Sequence, residues 1–148
     1  MTSGSDRVGP VVVGVDGSEA SLLALDHAAL EAGWRGAPLH VLHALDVTPA
    51  VLHLAHGEAI STRELAESDR REIWKRVDSH LDGFEGELVR VEREGDPGPA
   101  LIEYTREVGG SVLVVGPRGR GRVVEALLGS TAHKAVADAQ CDVLVVKS

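Results

Sequence analysis

Ser111-Val112-Leu113-Val114-Val115-Gly116-Pro117-Arg118-Gly119 reads as a short strand that runs straight into a glycine-punctuated turn. Four consecutive branched apolar residues leave no wet face, which suits a strand covered on both sides in a parallel sheet. Gly116 and Gly119 free the backbone to turn sharply and to come close to a ligand. Arg118, Arg120 and Arg122 add positive charge around them, and Pro117 removes one backbone donor from the loop. After nine intervening residues past Gly119, Gly129-Ser130-Thr131 opens the last helical stretch.

The same strand pattern recurs outward from there. Val11-Val12-Val13-Gly14-Val15, Leu39-His40-Val41-Leu42-His43-Ala44-Leu45 and Asp142-Val143-Leu144-Val145-Val146 are further short apolar runs. Glu87-Leu88-Val89-Arg90-Val91 alternates, as an edge strand or a strand with one wet face does. Helical patterns fill the gaps. Ser18 is placed to cap a helix over residues 19–33, with Leu22, Leu25 and Ala29 on one face and Gly33 and Gly36 as stop signals. A second helix is expected over 58–81, with Ser61 and Glu64 spaced as a capping box and Leu65, Ile73, Val77 and Leu81 as its apolar stripe. Asp96-Pro97 opens a third, through Leu101, Ile102, Thr105 and Val108, and a fourth covers 130–139. The stretch 48–57 fits neither pattern. Strict β-α alternation predicts an α/β fold, an open five-stranded parallel sheet with helices on both faces.

Bulk properties narrow the partners. A chain of 148 residues with 43% hydrophobic and 26% charged residues suits one domain over 1–148, with residues 1–8 as a disordered lead. A net charge of −8 argues against gripping a nucleic-acid backbone, which needs clustered cations. No apolar run approaches the roughly 20 residues of a membrane span. The polar lead after Met1 has no apolar segment behind it, so no secretory leader is expected, and the single Cys141 permits no internal disulfide. The expectation is a cytoplasmic protein with neither nucleic acid nor membrane as partner.

Open parallel sheets bind ligands beyond the carboxyl ends of their strands, where strand order reverses. Here those ends are Asp16-Gly17-Ser18, Ala44-Leu45-Asp46 and Gly116-Pro117-Arg118-Gly119. Exposed N–H groups and the helix dipole at Gly129-Ser130-Thr131 favour an anion, and the two hydroxyls can add hydrogen bonds. Two backbone cradles separated by a short excursion suit a polyphosphate. Asp16, a carboxylate at a strand end, can accept from a hydroxyl.

The spacing Gly116-x2-Gly119-x9-Gly129-Ser130 resembles the ATP-binding signature of the universal stress protein family. The likeness extends over nearly the whole chain. Val12-Val13-Gly14-Val15-Asp16-Gly17-Ser18 resembles that family's opening strand and turn, Gly95-Asp96-Pro97 its lead into the third helix, and Cys141 to Val146 its closing strand. Ser111 and Asp142 depart from the residues common in the family, Asp and Pro, and neither falls in the proposed site. The resemblance implies a Rossmann-like sheet, similar to the adenine nucleotide alpha hydrolases, with strand order 3-2-1-4-5. It implies that Asp16, with Gly14 and Val15 beside it, meets the adenine and ribose end, and that Ala44 contacts the base. Gly116 and Gly119 would line ribose and phosphates. Gly129, Ser130 and Thr131 would bind the phosphates of ATP and oxygens bridged by Mg²⁺. It further implies a homodimer through Val143-Leu144-Val145-Val146, an apolar edge that proteins cover or pair, and a stress-response module that senses or sequesters ATP.

Common enzyme signatures are missing from the sequence. The chain holds no Gly-x4-Gly-Lys-[Ser/Thr] loop, no Gly-x-Ser-x-Gly elbow and no His-Glu-x2-His, and Val124 stands where a Gly119-x-Gly121 turn needs its third glycine. Without a placed base or a phosphate-binding lysine, hydrolysis is expected to be slow or absent. Two other readings stay open at this point: a dimeric interaction module of the same fold that binds no nucleotide, and a small enzyme that uses ATP. His40 and His43 are three apart in a strand and so face opposite ways, and His53 and His56 lack a third ligand, so no metal site is expected. Cys141 reads as a small buried residue of the last strand.

Overall fold

The computed structural model describes residues 8–45, 62–117 and 129–147. Along them run β1 (Val11–Val15), α1 (Glu19–Arg35), β2 (Leu39–Leu45), α2 (Thr62–His80), β3 (Leu88–Glu94), α3 (Pro97–Glu107), β4 (Val112–Val115), α4 (Ser130–Asp138) and β5 (Asp142–Val145). The strands form one parallel sheet in the order β3-β2-β1-β4-β5, the order the resemblance implies. Residues 1–7 of the expected 1–8 lead, the stretch 48–57 and Ser61, with its expected capping box, lie outside the described residues.

Strand alternation divides the core. Val11, Val13 and Val15 of β1 join Leu39, Val41, Val112 and Val114 under α1 and α2. Val12, Leu42, Leu113 and Val115 face the other way and pack with Leu101 and Tyr104 of α3 and Ala132 and Ala135 of α4. Both faces of the sheet are therefore buried, which is why β1 and β4 are apolar without interruption. Leu25 of α1 is fully enclosed, a burial that contributes about 1.5–3 kcal/mol. Of the expected α2 stripe, Ile73, Val77 and Leu81 are buried.

Element ends differ from the sequence expectation in instructive ways. α1 runs through Gly33, beside which a side chain would meet open space, and stops at Gly36. Gly36 takes the left-handed conformation (φ 61°) and its N–H reaches the carbonyls of Ala32 and Gly33. β3 begins at Leu88 and continues past Val91 to Glu94, because its register with β2 holds from Leu39–Leu88 to Leu45–Glu94. Its charged half is tolerated because β3 is an edge strand. β5 ends at Val145, yet Val146 still donates its N–H to the Val115 carbonyl at 2.9 Å and is only 4% exposed.

Ser18 caps α1 as its position suggests, its Oγ accepting from the Ser21 N–H at 3.1 Å. Removing that acceptor in Ser18→Ala is expected to cost about 1 kcal/mol, lowering Tm by roughly 3 °C in a chain of this size. A thermal melt followed by circular dichroism measures it, and an unchanged Tm would show that the cap contributes nothing.

Candidate functional site

β1 connects through α1 to β2 on one side, whereas β4 connects through α4 to β5 on the other. Strand order thus reverses between β1 and β4. Their mutual pairing stops at Val13 with Val114. Beyond it, β1 continues to Val15 paired only with β2, and β4 to Val115 paired with β5. The two strands part at their carboxyl ends, with Val15-Asp16 on one side and Gly116-Pro117 on the other.

On the β1 side, Gly14 turns toward α3. A Cβ there would lie 2.4 Å from Leu101 Cδ1, so the glycine answers first to packing. The Val15 side chain is buried in the α1–α2 core, which leaves its backbone as what it presents at the strand end. Asp16 heads a compact turn. Its Oδ1 accepts from the Ser18 N–H at 2.9 Å, and its own N–H donates to Ser21 Oγ at 3.2 Å. Ala44, half-buried at the end of β2, lies on the α3–α4 face with Gly14.

On the β4 side, Gly116 presses on the start of α1. A Cβ would sit 2.9 Å from the Ala20 carbonyl oxygen and 3.0 Å from its carbon. The next residue, Pro117, lacks an N–H but uses its carbonyl, which accepts from the Gly129 N–H. That bond closes the excursion between the two halves of the glycine signature and sets the start of α4 beside the end of β4. Gly129 is buried and extended (φ −67°, ψ 167°), and its carbonyl accepts the first helical bond, from His133, at 3.0 Å. With the Gly129 donor spent on Pro117, the N–H groups of Ser130, Thr131 and Ala132 meet no acceptor among the described residues. Ser130 is exposed and Thr131 half-buried. Such a helix start attracts an anion. Gly119 and the arginines 118, 120 and 122 lie outside the described residues.

One neighbour of the site is invisible to sequence reading. Arg76 of α2 donates from Nη1 to the Gly17 carbonyl at 2.6 Å, and Ile73 packs under Gly17. The pattern gives no sign of it, because the acceptor is a backbone oxygen 59 residues away.

The histidines that suggested metal ligation face apart. His40 Nδ1 is 2.7 Å from Tyr104 Oη on the α3 side, and burial lowers its pKa against the opposing pull of Glu87. His43 meets Trp74 edge-on, on the α2 side. Among the described residues no group of three or more His, Cys, Asp or Glu could hold a metal; His53 and His56 lie outside them. Cys141 is half-buried rather than buried, and burial pushes its thiol up.

A strand-order reversal, parted strands, an Asp-Gly-Ser turn and an open helix start form one constellation. The profile of the universal stress protein family matches residues 8–147. The chain belongs to the universal stress protein family. A universal stress protein of Methanocaldococcus jannaschii is 29% identical over 147 residues, covering 99% of this chain and 86% of its own. One from Mycobacterium tuberculosis is 31% identical over 150 residues, covering 98% of this chain but 50% of its own, so the chain spans half the length of that relative. Among solved structures, a universal stress protein in complex with cAMP superposes with a TM-score of 0.66 at 28% identity, covering 96% of this chain and 98% of that one. Within this family fold, no described helix is long and apolar enough to cross a membrane.

Proposed function

We propose that this universal stress protein domain binds an adenine nucleotide, ATP in particular, in the crevice between the carboxyl ends of β1 and β4. In this reading it holds the nucleotide as a sensory or regulatory module in the stress response. The observation that carries the proposal is the start of α4. Three consecutive N–H groups there lack acceptors among the described residues, and the Gly129–Pro117 bond sets them beside the strand-order reversal. The similar universal stress protein solved in complex with cAMP supports the same ligand class.

In this assignment Ser130 and Thr131 hold the phosphates with Gly119, while Gly129, its N–H spent on the Pro117 carbonyl, sets the helix start behind them rather than binding phosphate itself, and Gly116 lines the ribose. Asp16, with Gly14 and Val15, meets the ribose and adenine, and Ala44 touches the base. Mg²⁺ would arrive on the phosphates, since the described residues offer no carboxylate cluster for it. Slow or absent hydrolysis follows from the lack of a P-loop lysine in the sequence. The module acts in the cytoplasm. Titration with ATP, AMP and cAMP, with and without Mg²⁺, tests the ligand. Saturable binding of one nucleotide per chain is expected, and no binding heat with any of the three would overturn the reading.

A homodimer is part of the same proposal. β5 is an edge strand, and Val143, Leu144 and Val145 remain only half-buried. Pairing with the β5 of a second copy would cover that edge. Light scattering at micromolar concentration is expected to give twice the chain mass of 15.6 kDa, and a monomer would reject this interface.

A further inference from the structure

The turn after β1 is tied from within and anchored from outside. Inside it, Asp16 N–H donates to Ser21 Oγ, Ser18 N–H to Asp16 Oδ1, Ser21 N–H to Ser18 Oγ, and the Ser21 hydroxyl to the Ser18 carbonyl, all at 2.9–3.2 Å. Gly17 stands outside this ring. It adopts φ +84°, a conformation open to glycine and soft for the same reason. Its carbonyl points to α2, where Arg76 donates at 2.6 Å. Arg70 and Arg90 are paired with Glu92 and Asp78 between α2 and β3. Arg76 makes no ion pair among the described residues, and its charge serves a backbone oxygen.

Peptide geometry gives that bond its consequence. The Gly17 carbonyl and the Ser18 N–H belong to one planar trans unit and point in opposite directions. The N–H end holds the Asp16 carboxylate, and the C=O end is held by Arg76. Rotation of this plane about the soft Gly17 would release both bonds together. We propose that Arg76 is a positioning residue of the nucleotide site. By fixing the Gly17–Ser18 peptide it aims the Asp16 carboxylate, so that adenine-nucleotide affinity depends on the docking of α2 against the β1–α1 turn. This rests on the reading of the crevice as a nucleotide site.

Four proteins test it: wild type, Arg76→Met, Arg76→Lys and, as a control, Arg90→Met, which breaks the α2–β3 pair with Asp78 away from the turn. ATP with Mg²⁺ is the probe. Arg76→Met is expected to weaken binding about fivefold, the scale of one partly exposed charge-assisted hydrogen bond. Arg76→Lys, which keeps a charged donor, is expected to hold affinity within about twofold of wild type, and Arg90→Met to leave it unchanged. Amide exchange gives a readout that needs no ligand: Ser18 N–H is expected to exchange about tenfold faster in Arg76→Met, through local opening of the turn. Unchanged exchange at Ser18 would overturn the proposal, as would equal losses of affinity in Arg76→Met and Arg90→Met. If wild type binds no adenine nucleotide, the site reading fails by itself, and faster Ser18 exchange still upholds the anchoring of the turn.

Discussion

Ser130→Glu is expected to weaken adenine-nucleotide binding by on the order of 100-fold while leaving Tm unchanged or slightly raised. The two signs differ for a physical reason. Ser130 is the first residue of α4 and is exposed, so a longer side chain disturbs no core contact. The first turn of α4 has no acidic residue, and Gly129 offers no side chain to cap it. A carboxylate there interacts favourably with the helix dipole and the open N–H groups, worth about 0.3–1 kcal/mol. It also occupies the place proposed for phosphate. Two unit charges about 4 Å apart near a protein surface repel by about 4 kcal/mol; at this exposed position solvent and salt screen part of that, leaving about 2.8 kcal/mol, or on the order of 100-fold at about 1.4 kcal/mol per decade. Calorimetry and a thermal melt on the same protein measure both signs. Undiminished ATP affinity beside a raised Tm would take the phosphates away from α4.

The parts of the fold that sequence reading recovered are those whose cause is local. Val112 to Val115 announces a two-sided strand because each residue must be apolar, and Ser18 announces a helix start because its hydroxyl serves an amide three residues on. β3 runs longer than its pattern because its extent is set by the register of β2, and Arg93 and Glu94 give no apolar signal. α1 passes Gly33 because a glycine in a helix costs only about 1 kcal/mol, whereas Gly36 supplies the left-handed cap that ends it. The candidate site divides in the same way. Asp16, Gly116 and Gly129-Ser130 stand out as turn and cap residues at strand ends. Arg76 does not, because its partner is a carbonyl reached through the tertiary fold. Nor does the use of Pro117, whose missing donor is visible in sequence while the service of its carbonyl to Gly129 is not.

Gly116→Val is expected to lower stability and nucleotide affinity together, by about 2–3 kcal/mol in the first case and about tenfold in the second. Sequence reading gives Gly116 the task of letting a ligand approach. The structure adds a neighbour that is present without any ligand. A Cβ would be 2.9 Å from the Ala20 carbonyl oxygen, and that atom belongs to the first turn of α1, not to a side chain that can swing aside. α1 must therefore shift, and its start carries Ser18, whose N–H holds Asp16. The strain thus passes from β4 to the opposite wall of the crevice. Gly116→Ala separates the two tasks, since it has the same Cβ with less beyond it. If close ligand approach were the sole requirement, the alanine variant would keep its Tm and lose affinity alone. Contact with α1 requires Tm to fall in both variants, and further in the valine variant, by roughly 6–9 °C there. Urea titration of each variant without nucleotide, followed by ATP titration of the folded fraction, distinguishes the two.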